Sequence, residues 1–288
     1  MTDCINKVSI IIPCYNQAKF LVETINSVLN QTYDNIEIVI VDDCSTDNSK
    51  DIINDYLLKY KNIKFYQNKT NKGVIYSRNF AIENCEGEYI LPLDGDDLIE
   101  PTYIQKAVEI LNKNKNIGIV YCKADFIGAK NGLWNLPLYD KKNIIYENCI
   151  FNSALFRKTD FIKAGKYKPE MEKFGSEDWD LWLSIIELGC EVYRIDEVLF
   201  HYRKHNLSSR TQNCYIKNQN DAIDMLKFRI MNHPKLFVES RWFEENILCD
   251  VKNLKNKYKK YKFLFNLAVC LAILEFLMFV FVFFGVIL

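Results

Sequence analysis

The chain has 288 residues, a length that suits one catalytic domain with an appendage or two small domains. Its 37 lysine and arginine residues balance 37 aspartate and glutamate residues, so net charge gives no support for a nucleic-acid partner. The ten cysteines are scattered without a C-x-x-C pair, which argues against a disulfide framework or zinc knuckle and indicates reduced thiols in a cytosolic compartment.

Apolar runs alternate with amphipathic segments over the first two-thirds of the chain. The predicted elements, in chain order, are a strand over 8–12, a helix over 18–30, a strand over 36–41, a helix over 48–60, a strand over 63–66, a helix over 74–84, a strand over 89–93, a helix over 101–111, a strand over 117–122, a helix over 177–188 and a strand over 191–195. Residues 128–146 are predicted to be mostly loop. The repeated order of strand and helix predicts an α/β fold with a mostly parallel sheet flanked by helices on both faces.

The C-terminal part of the chain has a different composition. Residues 263–288 are almost entirely apolar, and Glu275 is their single charge, so they exceed the roughly 20 residues that span a bilayer as a helix. A hydrophobic oligomerisation helix is the alternative. Lysines within 252–262 are expected to stay in the cytoplasm and to attract anionic lipid. We therefore predict a catalytic domain over 1–210, a helical, Lys-rich juxtamembrane linker over 211–262 and a transmembrane or membrane-anchoring helix over 263–288. The catalytic domain is expected at the cytoplasmic side of the membrane.

Acidic residues follow two predicted strands. Asp43 follows the second strand and Asp94-Gly95-Asp96-Asp97 follows the fourth, at the sheet edge where open parallel sheets bind ligands. Packed carboxylates raise each other's pKa unless a cation compensates them, and oxygen ligands suit Mg²⁺ or Mn²⁺. Asp94 and Asp96 are therefore predicted to serve a divalent metal or phosphate site. Helix capping is the preferred interpretation of Asp47.

Glycine-rich phosphate motifs are absent after the first strand, which disfavours a dinucleotide-dependent dehydrogenase and a P-loop NTPase. Phosphates would then be held through the metal, with help from basic side chains. Lys72 and Arg78, around the start of the third helix, are candidates, and a solvated surface position is the alternative for both. His201 and His205 have the spacing of a helical zinc pair, but contact of His205 or Arg203 with a diphosphate is preferred because no further zinc ligand is evident.

A last acidic cluster opens the predicted helix over 177–188. Glu177 and Asp178 stand at its start, where they could stabilise the helix dipole or supply a general base. Trp179 and Trp182 are expected to pack in the core rather than to form a platform for a sugar.

Taken in order, these segments resemble glycosyltransferase family 2, a family of inverting enzymes with the GT-A fold. The resemblance covers about residues 5–210 and rests on the following stretches: Val8-Ser9-Ile10-Ile11-Ile12-Pro13-Cys14-Tyr15-Asn16, Gln31-Thr32-Tyr33, Glu37-Ile38-Val39-Ile40-Val41-Asp42-Asp43-Cys44-Ser45-Thr46-Asp47, Asn71-Lys72-Gly73, Ser77-Arg78-Asn79, Gly87-Glu88-Tyr89-Ile90, Asp94-Gly95-Asp96-Asp97, Glu177-Asp178-Trp179-Asp180-Leu181-Trp182 and Tyr202-Arg203-Lys204-His205.

The resemblance implies a nucleotide-sugar donor and a set of residues that hold it. Asp43 would bind the uracil or ribose, with Pro13 and Tyr15 lining that pocket. Cys44 departs from the family pattern, which usually has glycine there, and cysteine resists a positive φ.

The resemblance also implies the reaction. Asp94 and Asp96 would form the Asp-x-Asp pair, with Asp96 the direct ligand of Mn²⁺ or Mg²⁺, and Asp178 would be the catalytic base. The expected activity is transfer of a sugar, from a UDP-sugar by preference, to a hydroxyl of a glycan or lipid-linked acceptor in cell-surface polysaccharide synthesis. A non-catalytic nucleotide-sugar-binding membrane scaffold and a nucleotidyltransferase are the alternatives. Residues on the acceptor side are expected within 128–175.

Overall fold

The computed structural model of the protein describes residues 6–205, 219–241, 243 and 245. The strands of this part are β1 (Val8–Cys14), β2 (Ile36–Asp42), β3 (Ile63–Gln67), β4 (Tyr89–Pro92), β5 (Leu98–Ile99), β6 (Ile117–Gly128), β7 (Gly132–Trp134), β8 (Leu155–Arg157) and β9 (Glu191–Lys204). The helices are α1 (Ala18–Leu29), α2 (Ser49–Leu57), α3 (Val74–Glu83), α4 (Tyr103–Lys113), α5 (Lys158–Lys163), α6 (Glu177–Glu187), α7 (Gln219–Asn232) and α8 (Pro234–Val238), with a 3-10 helix over Pro169–Lys173.

The strands form one sheet in the order β3-β2-β1-β4-β8-β6-β9-β5, with β7 paired to β6. The half built from β3, β2, β1 and β4 is parallel, as predicted, and the apolar residues of β1, β2 and β4 are almost all buried on both faces because helices cover the sheet. This half supports the acidic residues that follow β2 and β4.

The prediction of a mostly parallel sheet is wrong for the second half. Strand β8 lies antiparallel between β4 and β6, and β5 and β7 are antiparallel to β9 and β6, whereas β6 and β9 are parallel. The sheet is therefore mixed. The sequence did not predict β5, β7 and β8 because strands of two or three residues are too short to show a periodic pattern.

The register of the parallel strands brings their carboxyl ends to one edge. Cys14 at the end of β1 pairs with Asp42 at the end of β2, so the loops that follow these strands begin at the same height. Pro92, at the end of β4, pairs with Ile11 of β1, so Asp94 follows two residues after β4 near the same edge. The parallel half thus gathers the residues that follow β1, β2 and β4, as expected.

Strand β9 runs much further than the predicted strand over 191–195. Its later residues pair with β6, and His201 and Phe200 pair with Leu98 and Ile99 of β5. Because β5 directly follows the Asp94–Asp97 turn, this pairing carries the end of β9 to that turn. Residues 201–204 are therefore on a strand, and the helical spacing considered for a zinc pair does not apply.

The chain divides into two compact units, Met1–Leu236 and Phe237–Leu288. Helix α7 belongs to the first unit. Within the described residues, no helix combines the length and the apolar character that a membrane span requires. The predicted membrane helix over 263–288 and about half of the predicted linker over 211–262 lie outside the described residues, and the bounds of the three domains stay predictions.

Candidate active site

The loops after β1 and β2 are joined by hydrogen bonds at the sheet edge. The amide of Asn16 donates to Ser45 Oγ at 2.9 Å, and Asn16 Oδ1 accepts from the amide of Thr46 at 2.8 Å. Asn16 and Cys44 have φ values of 55° and 67°, in the left-handed region. The position where the family usually has glycine therefore does need positive φ, and Cys44 adopts it.

Asp43 fixes the loop that leads into α3. Its carboxylate, which is 4% exposed, accepts hydrogen bonds at 2.8 Å from the amides of Lys72 and Gly73 and from the Asn68 side chain. Oδ1 accepts two of these bonds and Oδ2 accepts one, so a lone pair of Oδ2 is left to accept from a ligand. Asp43 stays a predicted donor contact, and its bonds already hold the start of α3 against the end of β2.

The two predicted pocket residues on β1 and its loop lie beside Asp43. Asp43 donates its amide to the carbonyl of Cys14 at 2.8 Å, between Pro13 and Tyr15 in the chain. Pro13 is partly buried, and Tyr15 is 47% exposed, so its ring is accessible from solvent.

Asp47 caps helices as predicted: it accepts from the amide of Ala18, the first residue of α1, at 2.9 Å and from the amide of Ser49, the first residue of α2, at 3.0 Å.

Arg78 is the centre of a buried ion-pair network. It was predicted to contact donor phosphates, but its guanidinium is instead buried and joins two carboxylates: Asp94 Oδ1 at 2.5 Å and Glu177 Oε1 at 2.7 Å. Asn79, the next residue of α3, exchanges two hydrogen bonds with the backbone of Tyr167, whose ring lies 5.7 Å from the guanidinium. Arg78 thus connects the Asp94-x-Asp96 turn to the start of α6.

Asp178 follows Glu177 and is brought beside this network. It is partly buried, and its carboxylate accepts the amide of Trp179 at 2.7 Å. Burial, and then the negative charge of Glu177, raise the pKa of Asp178 to about 7, and Asp94 adds to the increase while Arg78 opposes it. A carboxylate with a pKa near the working pH is well matched to general-base chemistry.

The end of β9 supplies basic groups to the Asp94–Asp97 turn. His205 Nε2 lies 2.7 Å from Asp96 Oδ2, and Arg203 donates its Nε to the Asp96 carbonyl at 2.7 Å and its amide to Asp97 Oδ1 at 2.8 Å. Arg203 also pairs with Glu23 at 2.7 Å. The structure thus brings Arg203 and His205 to the predicted metal ligand, and Asp97 holds the end of β9.

The charges of this turn favour a bound cation. Burial, followed by the charge of Asp94, raises the pKa of Asp96, and burial followed by the charge of Asp96 raises that of Asp97. In the described part of the chain no three His, Cys, Asp or Glu side chains converge closely enough to hold a metal by themselves. Asp96 and His205 offer one oxygen and one nitrogen, which fits an open Mn²⁺ or Mg²⁺ site completed by substrate phosphates and water.

Three other predicted residues have structural partners. Lys72 Nζ lies over the ring of Tyr76, 4.2 Å from its centroid, and donates to Tyr76 Oη at 3.0 Å. His201 lies between Asp125 at 2.6 Å and Glu100 at 2.9 Å, which ties β9 to its neighbours. Trp182 is fully buried, as expected.

Sequence reasoning missed the structural part that Glu177 and Arg78 play. The sequence indicates a helix start for Glu177 and a phosphate contact for Arg78, and 99 residues separate the two, so no local pattern reveals their pairing. The one signal was composition: an arginine inside an otherwise apolar helix face needs acidic partners if it is buried.

Comparison with known proteins identifies the family of the chain. The sequence profile of Glycosyl transferase family 2 matches residues 9–166, more than half of the chain. The chain belongs to glycosyltransferase family 2. It is 32% identical over 236 residues to an uncharacterized glycosyltransferase of Haemophilus influenzae, covering 76% of this chain and 72% of that protein. It is 28% identical over 270 residues to TuaG of Bacillus subtilis, which is named as a glycosyltransferase of teichuronic acid biosynthesis, and the match covers 90% of this chain and 99% of TuaG.

The crystal structure of S. aureus TarS residues 1–349 with UDP-GlcNAc has the same fold as this glycosyltransferase. The TM-score is 0.67 at 22% identity, over 83% of this chain and 73% of that one. The fold is therefore of the GT-A type, as expected, and the family membership makes the chain a glycosyltransferase.

Replacing Arg78 tests the buried network. Arg78→Met removes the cation that neutralises Glu177, and breaking a buried pair from one side costs about 3–5 kcal/mol, so the free energy of unfolding should fall by about that amount. Urea denaturation followed by tryptophan fluorescence measures it. Lys113→Met, at a side chain that is 80% exposed, is the control and should cost less than about 0.5 kcal/mol. Equal losses in the two variants would mean that the Arg78 pairs do not hold the site.

Proposed function

We propose that this glycosyltransferase moves a sugar from a UDP-sugar to a hydroxyl of a cell-wall polysaccharide acceptor with inversion at the anomeric carbon. The main support for this proposal is the buried Arg78, which links Asp94 of the Asp-x-Asp turn to the start of the helix that bears Asp178. A base with a raised pKa thereby stands next to the donor side of the site. The relation to TuaG supports a cell-wall acceptor, and the shared fold with the TarS complex is compatible with a UDP-sugar.

In this mechanism Asp178 accepts the proton of the acceptor hydroxyl while the hydroxyl oxygen forms a bond to the anomeric carbon. The bond from that carbon to the diphosphate oxygen breaks, and the nucleoside diphosphate leaves from the opposite face, so the configuration inverts. Asp43, with Pro13 and Tyr15, would hold the nucleoside. A positioned base of this kind contributes about 10²–10⁴ to the rate.

Asp96 and His205 would hold the divalent cation, and Arg203 would keep the turn in place. When bound, the cation neutralises the charge that grows on the leaving diphosphate. Asp94 would keep its ion pair with Arg78 at 2.5 Å, so its contribution is to orient the turn and to add negative charge beside the cation.

We also propose that residues 263–288 attach the enzyme to the membrane with the catalytic unit on the cytoplasmic side. The support is the apolar sequence of that segment and the lysines that precede it. Such an attachment would suit a lipid-linked acceptor, which lies in the same membrane.

Asp178→Asn keeps the size of the side chain and removes its basicity. Turnover should fall by about 10²–10⁴, with donor affinity unchanged. Release of UDP and of transferred sugar from a panel of labelled UDP-sugars measures it, and release of pyrophosphate instead would indicate a nucleotidyltransferase. Asp55→Asn, at an exposed position of α2, is the matched control and should be neutral. Near-normal turnover in Asp178→Asn would remove the base assignment.

The raised pKa of Asp178 gives a pH dependence with a definite sign. Below about pH 7 the carboxyl is protonated and cannot accept the hydroxyl proton, so kcat/KM should rise with pH and level off above about pH 7. Glu177→Gln removes a negative charge that raises the pKa of Asp178, while the positive charge of Arg78, which lowers that pKa, is kept. The acidic limb of the kcat/KM profile should therefore move to lower pH. Glu109→Gln, at an exposed position of α4, should leave the limb in place. An unmoved limb in Glu177→Gln would exclude Asp178 as the titrating group.

Metal removal tests the Asp96 site. Donor affinity measured calorimetrically with Mn²⁺ should fall on addition of EDTA, and Asp96→Ala should abolish the difference between the two conditions. Since losing even an outer-shell partner costs about 10–100-fold in metal affinity, loss of a direct ligand should cost at least that much. Equal donor affinity of the unmodified enzyme with Mn²⁺ and with EDTA would contradict the metal role.

A further inference from the structure

Helix α7 packs one side against the helix that carries Asp178. Four of its side chains at helical spacing make this contact: Met225, Phe228, Arg229 and Asn232. Residues at positions i, i+3, i+4 and i+7 share one face of a helix, so these four form a single docking face. Their partners surround the first turn of α6 and are Phe174, Ser176, Trp179 and Asp180.

Arg229 makes the most specific of these contacts. Its guanidinium lies 3.6 Å from the centre of the Trp179 ring, and its Nη1 donates to the carbonyl of Ile145 at 3.0 Å. Trp179 Nε1 donates to the carbonyl of Ile144 at 2.6 Å. The cation and the ring under it are therefore anchored to consecutive carbonyls of one segment, which lies in the region expected to face the acceptor.

His233, just after α7, fixes the same helix pair along its length. Its ring nitrogens lie 3.0 Å from Asp180 Oδ1 and 3.0 Å from Glu187 Oε2, near the two ends of α6. Lys168 pairs with the other oxygen of Asp180 at 2.9 Å. His233 and Asp180 are each 1% exposed, so this contact is part of the interior.

Burying a guanidinium does not favour stability by itself, because an apolar side chain of similar volume often stabilises the folded protein as well or better. Arg229 is 4% exposed, and it contacts the face of the Trp179 ring and the carbonyl of Ile145. What these directional contacts add over apolar packing is a fixed orientation of Trp179. The amide of Trp179 is the group that donates to the Asp178 carboxylate at 2.7 Å.

We propose that Arg229 is a positioning residue, which acts through Trp179 to fix the Asp178 carboxylate in line with the acceptor hydroxyl. This inference rests on the proposed function of Asp178 as the base. The route from Arg229 to Asp178 passes through one ring and one backbone hydrogen bond. Misplacement of a catalytic group by about 1 Å can cost about 10²-fold in rate, so the effect should be on turnover rather than on donor binding.

A double-mutant cycle tests the proposal on the full-length chain. Arg229→Leu should lower kcat by about 10²-fold while UDP affinity changes by less than about 2-fold. In the Asp178→Asn background the same substitution should cost less than about 2-fold, because the base that it positions is already lost. Arg229→Lys keeps a cation over Trp179 and should recover part of the rate. Lys227→Leu, at an exposed cation of the same helix, is the matched control and should be neutral.

Trp179→Phe provides a second route if Arg229→Leu does not fold. It keeps an aromatic ring and removes the bond to Ile144, so kcat should fall by about 10-fold, again only when Asp178 is present. The positioning role would be overturned if kcat is unchanged in Arg229→Leu. It would also be overturned if the fold-losses in kcat from Arg229→Leu and from Asp178→Asn multiply fully in the double variant. If Asp178→Asn alone retains normal turnover, the proposed base fails and the positioning role fails with it, whereas a slow Asp178→Asn beside a normal Arg229→Leu rejects the positioning role alone.

Discussion

The site depends on one buried cation. Arg78 is held inside the protein by Asp94 and Glu177, at 2.5 and 2.7 Å, and no apolar residue could join these two carboxylates. Without it, the turn after β4 and the start of α6 would each leave a carboxylate without its ion-pair partner, at a cost of several kcal/mol. The same contacts bring the Asp-x-Asp turn next to Asp178, so the interaction that stabilises the fold also assembles the site.

Two further carboxylates extend this arrangement to the neighbouring loops. Asp43 binds the amides that begin α3, the helix that carries Arg78, and Asp97 binds the amide of Arg203 at the end of β9. Carboxylates that follow β2 and β4 therefore orient the helix and the strand that complete the site. The raised pKa values of Asp96, Asp97 and Asp178 arise first from burial of the carboxyl groups and then from the negative charge of neighbouring acids.

The sequence was sufficient to predict the parallel half of the sheet, because the strands of that half are continuous apolar runs and the acidic turns follow them directly. Motifs and family resemblance indicated Asp94, Asp96 and Asp178, and the structure joins the turn of the first two to the helix start of the third through Arg78, while their catalytic and metal roles stay predictions. It could not predict β8, which is three residues long, or the burial of Arg78, whose partner Glu177 is 99 residues away. The docking of α7 was also missed, since Arg229 and His233 belong to no motif and their partners are set only by tertiary packing.

A crystal structure of the Asp178→Asn variant with a UDP-sugar and Mn²⁺ tests the proposed position of the donor most directly. We predict that the diphosphate lies at Asp96 and His205, that the uridine lies against the loop of Asp43, and that the anomeric carbon faces residue 178. A donor bound elsewhere, or a sugar that points away from the start of α6 while Arg78 keeps both ion pairs, would contradict it.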